Sequence, residues 1–181
     1  MNSVPEKSKV LSPIALAHVV LRTNNFSRMN KFYKTFLGGH AAYENEIMSF
    51  LTYDEEHHRI ALVQVPDLGA KTRLTCGLEH IAFSYANLHD LALAYRQRKA
   101  EGITPVCMYY KDPDGHLIET QVDNFDTADE ATEFMMSKDF TENPFGTDYD
   151  PEELIRRLES GEDEKIIKKR VESGPRLAPP V

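Results

Sequence analysis

Three residues of this chain carry cation-binding side chains at places where a repeat would gather them: His18, His80 and Glu119. His18 lies in the β-branched, apolar run IALAHVVLRT (14–23) and His80 in LEHIAFSY (78–85), segments that read as strands. Glu119 is an isolated acid in HLIETQV (116–122), an otherwise apolar and neutral row. A strand histidine by itself is ordinarily a hydrogen-bonded structural residue. A carboxylate in an apolar strand is costlier and asks for a cation or donors beside it. Together, two imidazoles and one carboxylate form the facial set that suits iron(II) and leaves positions open for substrate and dioxygen. A closed structural zinc site would ask for a fourth protein ligand.

An internal duplication is what would bring these residues together. An asparagine follows the strand histidine by seven residues in both halves, Asn25 after His18 and Asn87 after His80, and each opens a helix. In the first, Phe26, Met29, Phe32, Tyr33 and Phe36 keep the i, i+3, i+4 rhythm until Gly38-Gly39, with Asn24, Asn25 or Ser27 as the cap. In the second, Asn87 caps with Asp90 at the third position, and Leu88, Leu91, Leu93, Ala94 and Tyr95 give an apolar side before Gly102. RIALVQV (59–65) then aligns with HLIETQV, which sets Leu62 opposite Glu119 and makes Leu62 the residue expected to face the metal. Residues 58, 60 and 62 share one strand face, so His58 is expected beside the same site.

These elements predict an α+β fold: paired βαβββ modules forming a curled mixed sheet around a metal site, the second module shortened, with C-terminal helices. The first module spans 13–66, its later strands being AAYE, IMSFLTYD and RIALVQV; the second spans 67–125. Gly38 to Leu62 is 24 residues whereas Gly102 to Glu119 is 17, so the second copy lacks about one short strand and its turn. Residues 1–12 read as a flexible arm, 126–170 as a helical extension and 171–181 as a disordered tail. Within the extension, Thr127 and Glu130 form a capping box and Asp150-Pro151-Glu152-Glu153 is a strong helix start. Its expected role is to cover the sheet or a partner subunit.

Composition narrows the partners. A net charge of −8, with only KIIKKR as a short basic cluster, argues against nucleic acid. The start MNSVPEKSKV has no apolar signal region, no apolar run approaches a membrane span, and Cys76 and Cys107 are too few for a disulfide framework. These features predict a reduced, cytoplasmic protein. His40, His89, His116 and Cys107 are assigned to surface or packing.

The chain resembles the vicinal oxygen chelate superfamily, the glyoxalase, bleomycin-resistance and dioxygenase group, over roughly residues 13 to 160. The resemblance is carried by His18-Val19-Val20, His57-His58-Arg59-Ile60-Ala61, His80-Ile81-Ala82-Phe83, and Tyr109-Tyr110-Lys111-Asp112-Pro113-Asp114-Gly115 followed by Glu119 and Gln121-Val122-Asp123. Within the superfamily these segments are most like the catalytic half of type I extradiol ring-cleavage dioxygenases of the biphenyl-2,3-diol 1,2-dioxygenase kind. The resemblance implies a catechol-type aromatic diol and O2 as substrates, Fe(2+) or alternatively Mn(2+) as cofactor, and a homodimer or higher homo-oligomer. It implies that His18, His80 and Glu119 are the metal ligands, that His58 stands beside the dioxygen site as a proton donor and acceptor or a stabiliser of superoxide, and that Tyr109 hydrogen-bonds a substrate oxygen. Phe50, Met48 and Phe83 are expected to line the pocket for the ring. Alternatives in the same superfamily are a metal-dependent isomerase or lyase and a small-molecule-binding member without catalysis. The ring-cleavage dioxygenases that the chain resembles usually carry a segment with an Asn-His pair between the Pro-Val and the Tyr-Tyr, where this chain runs PVCMYY. One acid-base or substrate-orienting group of an active ring-cleaving enzyme would be missing.

Overall fold

A computed structural model describes residues 10–72, 74–106, 109–171 and 173–177. The fold is α+β. The first half runs β1 (Val19–Thr23), α1 (Phe26–Leu37), β2 (His40–Glu44), β3 (Met48–Thr52) and β4 (Ile60–Gln64); the second runs β5 (His80–Ser84), α2 (Leu88–Ala100), β6 (Tyr109–Lys111) and β7 (Leu117–Gln121). The first sheet has order β1-β4-β3-β2 and the second β5-β7-β6, with β1 parallel to β4 and β5 parallel to β7. The shortening shows as a strand position, that of β2, with no counterpart among the described residues of the second sheet. The sheets do not close on each other. β1 and β5, the first strands of the two halves, are edge strands of separate sheets and are not hydrogen-bonded to each other.

The helices form where capping and periodicity placed them, with local differences. Asn25 stands at the start of α1 but its side chain makes no cap bond. Instead Thr23 Oγ1 accepts from Asn25 N at 2.8 Å and Gln64 Oε1 from Phe26 N at 3.2 Å. Asn87 does cap α2, accepting from Asp90 N at 2.8 Å. Leu93, read as part of the apolar side of α2, points to solvent, and Leu88, Leu91 and Ala92 are the buried set. At the end of α1, a Cβ on Gly39 would lie 2.4 Å from Thr52 O, so the approach of helix to strand requires glycine there.

One core joins the halves: Met29, Tyr33 and Phe36 of α1 pack with Leu21, Leu51, Ile60 and Leu62 of the first sheet and with Tyr110 and Ile118 of the second. A second cluster holds the C-terminal extension. It contains α3 (Ala128–Met135), α4 (Lys138–Glu142), α5 (Pro151–Glu159) and α6 (Glu164–Ile167). The capping box of Thr127 and Glu130 is present, and Asp150 caps α5 with Pro151 at its first position. Ile155 and Leu158 of α5 bury against Leu88, Leu91 and Ala92 of α2. Glu152 accepts from Tyr95 Oη at 2.7 Å, and Glu164 accepts from Leu88 N at 3.1 Å and meets His89 Nδ1 at 2.6 Å. α5 and α6 of the extension thus cover α2, and Tyr149, Pro151 and Leu154 also lie beside Tyr110 and Thr120 of the second sheet. Residues 1–9 and 178–181, parts of the arm and tail read from the sequence, lie outside the described residues, but Arg176 is fastened to Glu142 O through its own amide at 2.9 Å.

Candidate metal centre

Strand register decides which side chains face the same way. In the second sheet Glu119 stands between Ala82 on β5 and Tyr109 on β6. In the first sheet Ala61 stands between Val20 on β1 and Phe50 on β3. His18 precedes Val20 by two residues and His80 precedes Ala82 by two, so the structural counterpart of Glu119 is Ala61. This corrects the alignment that set Leu62 opposite Glu119. Leu62 has no exposed surface and packs in the core beneath α1, as Ile60 does. The gapless match of two apolar heptapeptides concealed a one-residue offset, and in a strand one residue exchanges the faces.

The side chains read as ligands fall into two groups. His80 Nε2 lies 3.2 Å from Glu119 Oε2 across the β5–β7 pair, and the Tyr109 ring is 5.4 Å from the His80 ring. A cation bound at about 2.1 Å by two adjacent ligands holds their donor atoms about 3 Å apart, so this pair is spaced as two ligands of one ion would be. Burial, and then the charges of Glu119 and Glu79, raise the pKa of the Tyr109 phenol, which keeps it a hydrogen-bond donor. His18, exposed just before β1, stacks instead against His58 with ring centroids 4.3 Å apart. Among the described residues no group of three or more His, Cys, Asp or Glu is gathered closely enough to hold a metal ion. The donor set fits iron(II) in kind, and His80 with Glu119 fits it in spacing; His18 is not drawn into that pair.

His58 reaches the neighbourhood of His18 for a reason the sequence argument missed. The strand face it was assigned with Ile60 and Leu62 is the core face; His58 precedes β4, where strict alternation does not bind it. Its ring stacks on Phe50 at 4.8 Å, on the face that carries Ala61. It is 8 % exposed, and no described residue hydrogen-bonds its Nδ1. Burial, then the neighbouring His18 and His57, push its pKa below the usual imidazole value, which leaves it neutral and able to accept a proton.

Around these groups the first sheet presents an apolar wall. Phe50 pairs with Tyr43, with rings 5.9 Å apart, Met48 lies two residues before Phe50 on the same face, and Val20 beside Ala61 is 52 % exposed. Phe83, expected in the pocket, turns to the core and meets Phe36 at 6.4 Å. Its neighbour Ala82, of opposite parity on β5, is the residue beside Glu119. His89 and His116 are bound to carboxylates of the fold, Glu164 and Asp112, and His40 is exposed on β2, while Cys107 lies outside the described residues. Asp112 and Tyr33 are further residues of interest that the sequence does not single out; the signal for Asp112 is its place at the head of Asp-Pro-Asp-Gly, and Tyr33 carries none beyond its helical spacing.

The fold and the motifs have a known counterpart. Residues 15–120 match the family model of the Glyoxalase/Bleomycin resistance protein/Dioxygenase superfamily, and the chain belongs to that superfamily. Two curated relatives sharpen this: the chain is 40% identical over 166 residues to biphenyl-2,3-diol 1,2-dioxygenase 3 of Rhodococcus globerulus, covering 86% of this chain and 87% of the relative. It is 39% identical over 155 residues to biphenyl-2,3-diol 1,2-dioxygenase 2 of the same organism, covering 80% and 82%. Among solved structures, a glyoxalase/dioxygenase from Nostoc punctiforme has a TM-score of 0.51 at 20% identity, over 65% of this chain and 98% of that one. A glyoxylase/bleomycin resistance protein/dioxygenase domain from Frankia sp. EAN1pec has a TM-score of 0.51 at 18% identity, over 61% and 93%. These two likenesses concern the fold alone. The sequence relatives place the chain among dioxygenase-like enzymes of the superfamily. No helix among the described residues is long and apolar enough to cross a membrane.

Proposed function

We propose that this protein is a non-haem iron(II) extradiol dioxygenase that cleaves a catechol-type ring next to its two hydroxyls using O2. The observation that carries the reading is the His80–Glu119 pair, 3.2 Å apart beside Tyr109, in a chain 40% identical to a biphenyl-2,3-diol dioxygenase. His80, Glu119 and His18 are the residues that would hold the iron, with manganese as the alternative. Iron bound there supplies the electron transfer between diol and dioxygen that neither undergoes readily alone.

The remaining work falls to side chains of this chain. The apolar wall of Phe50, Met48 and Val20 receives the ring and keeps bulk water from its face. Tyr109 donates a hydrogen bond to a diol oxygen and fixes which edge of the ring faces the ligands. His58, neutral and with an Nδ1 that no described residue hydrogen-bonds, accepts a proton from the diol on binding and returns it as the ring opens. Its stacking between His18 and Phe50 sets that nitrogen's direction. The protein works as a homodimer or higher homo-oligomer in the cytoplasm.

A second reading has its own support: among the described residues three donors do not converge, which favours a member that binds a small molecule without ring cleavage; a metal-dependent isomerase or lyase of the same superfamily is the third. Anaerobic purification, iron(II) reconstitution and oxygen-electrode assay against a panel of catechols separate the three. Iron near one equivalent with oxygen uptake and a yellow ring-fission product upholds the dioxygenase. Bound metal without oxygen uptake favours the isomerase or lyase, and absence of metal binding favours the binding module.

A further inference from the structure

The two groups of site residues come from different sheets, so their relative placement depends on what holds one half against the other. Asp112, the first residue of the Asp-Pro-Asp-Gly turn between β6 and β7, is only 4 % exposed. Its Oδ1 accepts from Asp114 N at 3.0 Å and His116 N at 2.8 Å, and its Oδ2 lies 2.9 Å from His116 Nδ1. These partners belong to the turn. One more does not: Tyr33 Oη, in the middle of α1 and 79 residues away in sequence, donates to Asp112 Oδ2 at 3.0 Å inside the core. Burial, followed by the charge of Asp112, raises the Tyr33 pKa far above the usual phenol value, so the phenol remains a donor.

The location of this bond matters because of what lies at either end. The β6–β7 hairpin presents Tyr109 and Glu119, directly paired, on the face opposite Tyr110 and Ile118. Gly115, with φ of +88°, lets the turn close under Asp112. Helix α1 follows the strand that begins after His18, and packs on β3 and β4, which carry Phe50 and Ala61. A second buried polar tie among the described residues, Arg98 Nε donating to Phe36 O at 2.9 Å, joins α2 to the end of α1, and the Arg98 guanidinium lies over the ring of Tyr110 on β6, 5.3 Å from its centroid, without reaching the turn that holds Asp112.

We propose that Tyr33 and Asp112 are positioning residues for the site: their hydrogen bond fixes the β6–β7 hairpin against the first sheet, and so sets Glu119 and Tyr109 relative to His18 and His58. The proposal rests on the reading of those residues given under Proposed function. Neither residue touches the metal or the substrate. Their effect is on where the groups that do so stand.

The test is Tyr33→Phe in the full chain, which removes one oxygen and leaves the ring in the core. Hydrogen exchange is followed at residues 109–121 and, as reference, at 48–64, and Mn(II) binding to metal-free protein is measured by electron paramagnetic resonance with Glu119→Ala as the control. The expected result is exchange about tenfold faster in 109–121 with 48–64 unchanged, and Mn(II) affinity weakened by about 10-fold or more, as for loss of a group that orients a metal ligand. Asp112→Asn, which keeps the shape of the side chain, is expected to move both readouts the same way and serves if Tyr33→Phe does not fold. Unchanged exchange in 109–121 overturns the proposal. Faster exchange with unchanged Mn(II) affinity also overturns it, because the bond then serves the turn alone. If the unaltered protein binds Mn(II) no better than Glu119→Ala, the site assignment fails and the positioning role with it, while the exchange data still decide whether Tyr33 holds the hairpin.

Discussion

Across the first sheet, one row of paired residues reads Val20, Ala61, Phe50 and Tyr43; across the second, the corresponding row reads Ala82, Glu119 and Tyr109, and there the described strands end. The backbone repeats and the chemistry does not. Alanine stands where the second half has a carboxylate, and phenylalanine where it has a phenol, so the first half supplies an apolar wall and the second supplies oxygen donors. Their histidines differ too. His80 faces the carboxylate at 3.2 Å, whereas His18 faces another imidazole, His58. A duplicated fold can divide its labour this way because each strand position is constrained on its core side, by Ile60 and Leu62 or by Ile118, and is freer on the other.

Several substitutions would break or sharpen that comparison. The largest effect is expected from Glu119→Ala, which leaves the second half as apolar as the first: metal content falls to background and kcat/KM with a catechol drops at least about 100-fold, read by metal analysis and oxygen uptake. Next is His58→Phe, which preserves stacking on Phe50 while removing the proton acceptor. Bound metal should stay near the unaltered level while kcat falls about 100-fold; equal loss of metal would make His58 a ligand instead. Leu62→Ala checks the register: as a core residue it should cost about 2–5 kcal/mol by denaturant unfolding, whereas a residue facing an open metal site would cost far less. Tyr109→Phe should lower kcat/KM by about tenfold, the worth of one hydrogen bond to a partly charged oxygen, with stability unchanged within error. The smallest effect is expected from Glu152→Gln, which weakens an exposed contact of α5 with Lys99 and Tyr95 and should shift stability by no more than about 1 kcal/mol.

Much of the fold was legible because it rests on local rules. Glycines ended α1 and preceded β6, the capping box of Thr127 and the Asp150-Pro151 start announced their helices, and β-branched, apolar runs marked the strands. The shorter second half could be counted from residue spacing alone. Errors arose where two neighbouring residues were equally apolar and only pairing could choose between them. Leu62 and Ala61 are such a pair, and only pairing with Val20 and Phe50 gives Ala61 the place of Glu119. Phe83 is expected in the pocket with Phe50 and Met48, yet its parity on β5 turns it to Phe36. Strand parity with Ile60 and Leu62 would turn His58 to the core; the irregular stretch before β4 instead brings it beside His18.

What the sequence determined by itself was the set of candidate donors, the duplicated order of elements and the shortened second copy, because residue type, caps and periodicity act over a few neighbours along the chain. What only the tertiary structure decided was which donors meet. His80 and Glu119 are joined by parallel pairing of strands more than thirty residues apart, His18 is turned to His58, and Tyr33 is bonded to Asp112 across the shared core. Those choices depend on strand register and on how two sheets share one helix, and no stretch of local sequence contains that information.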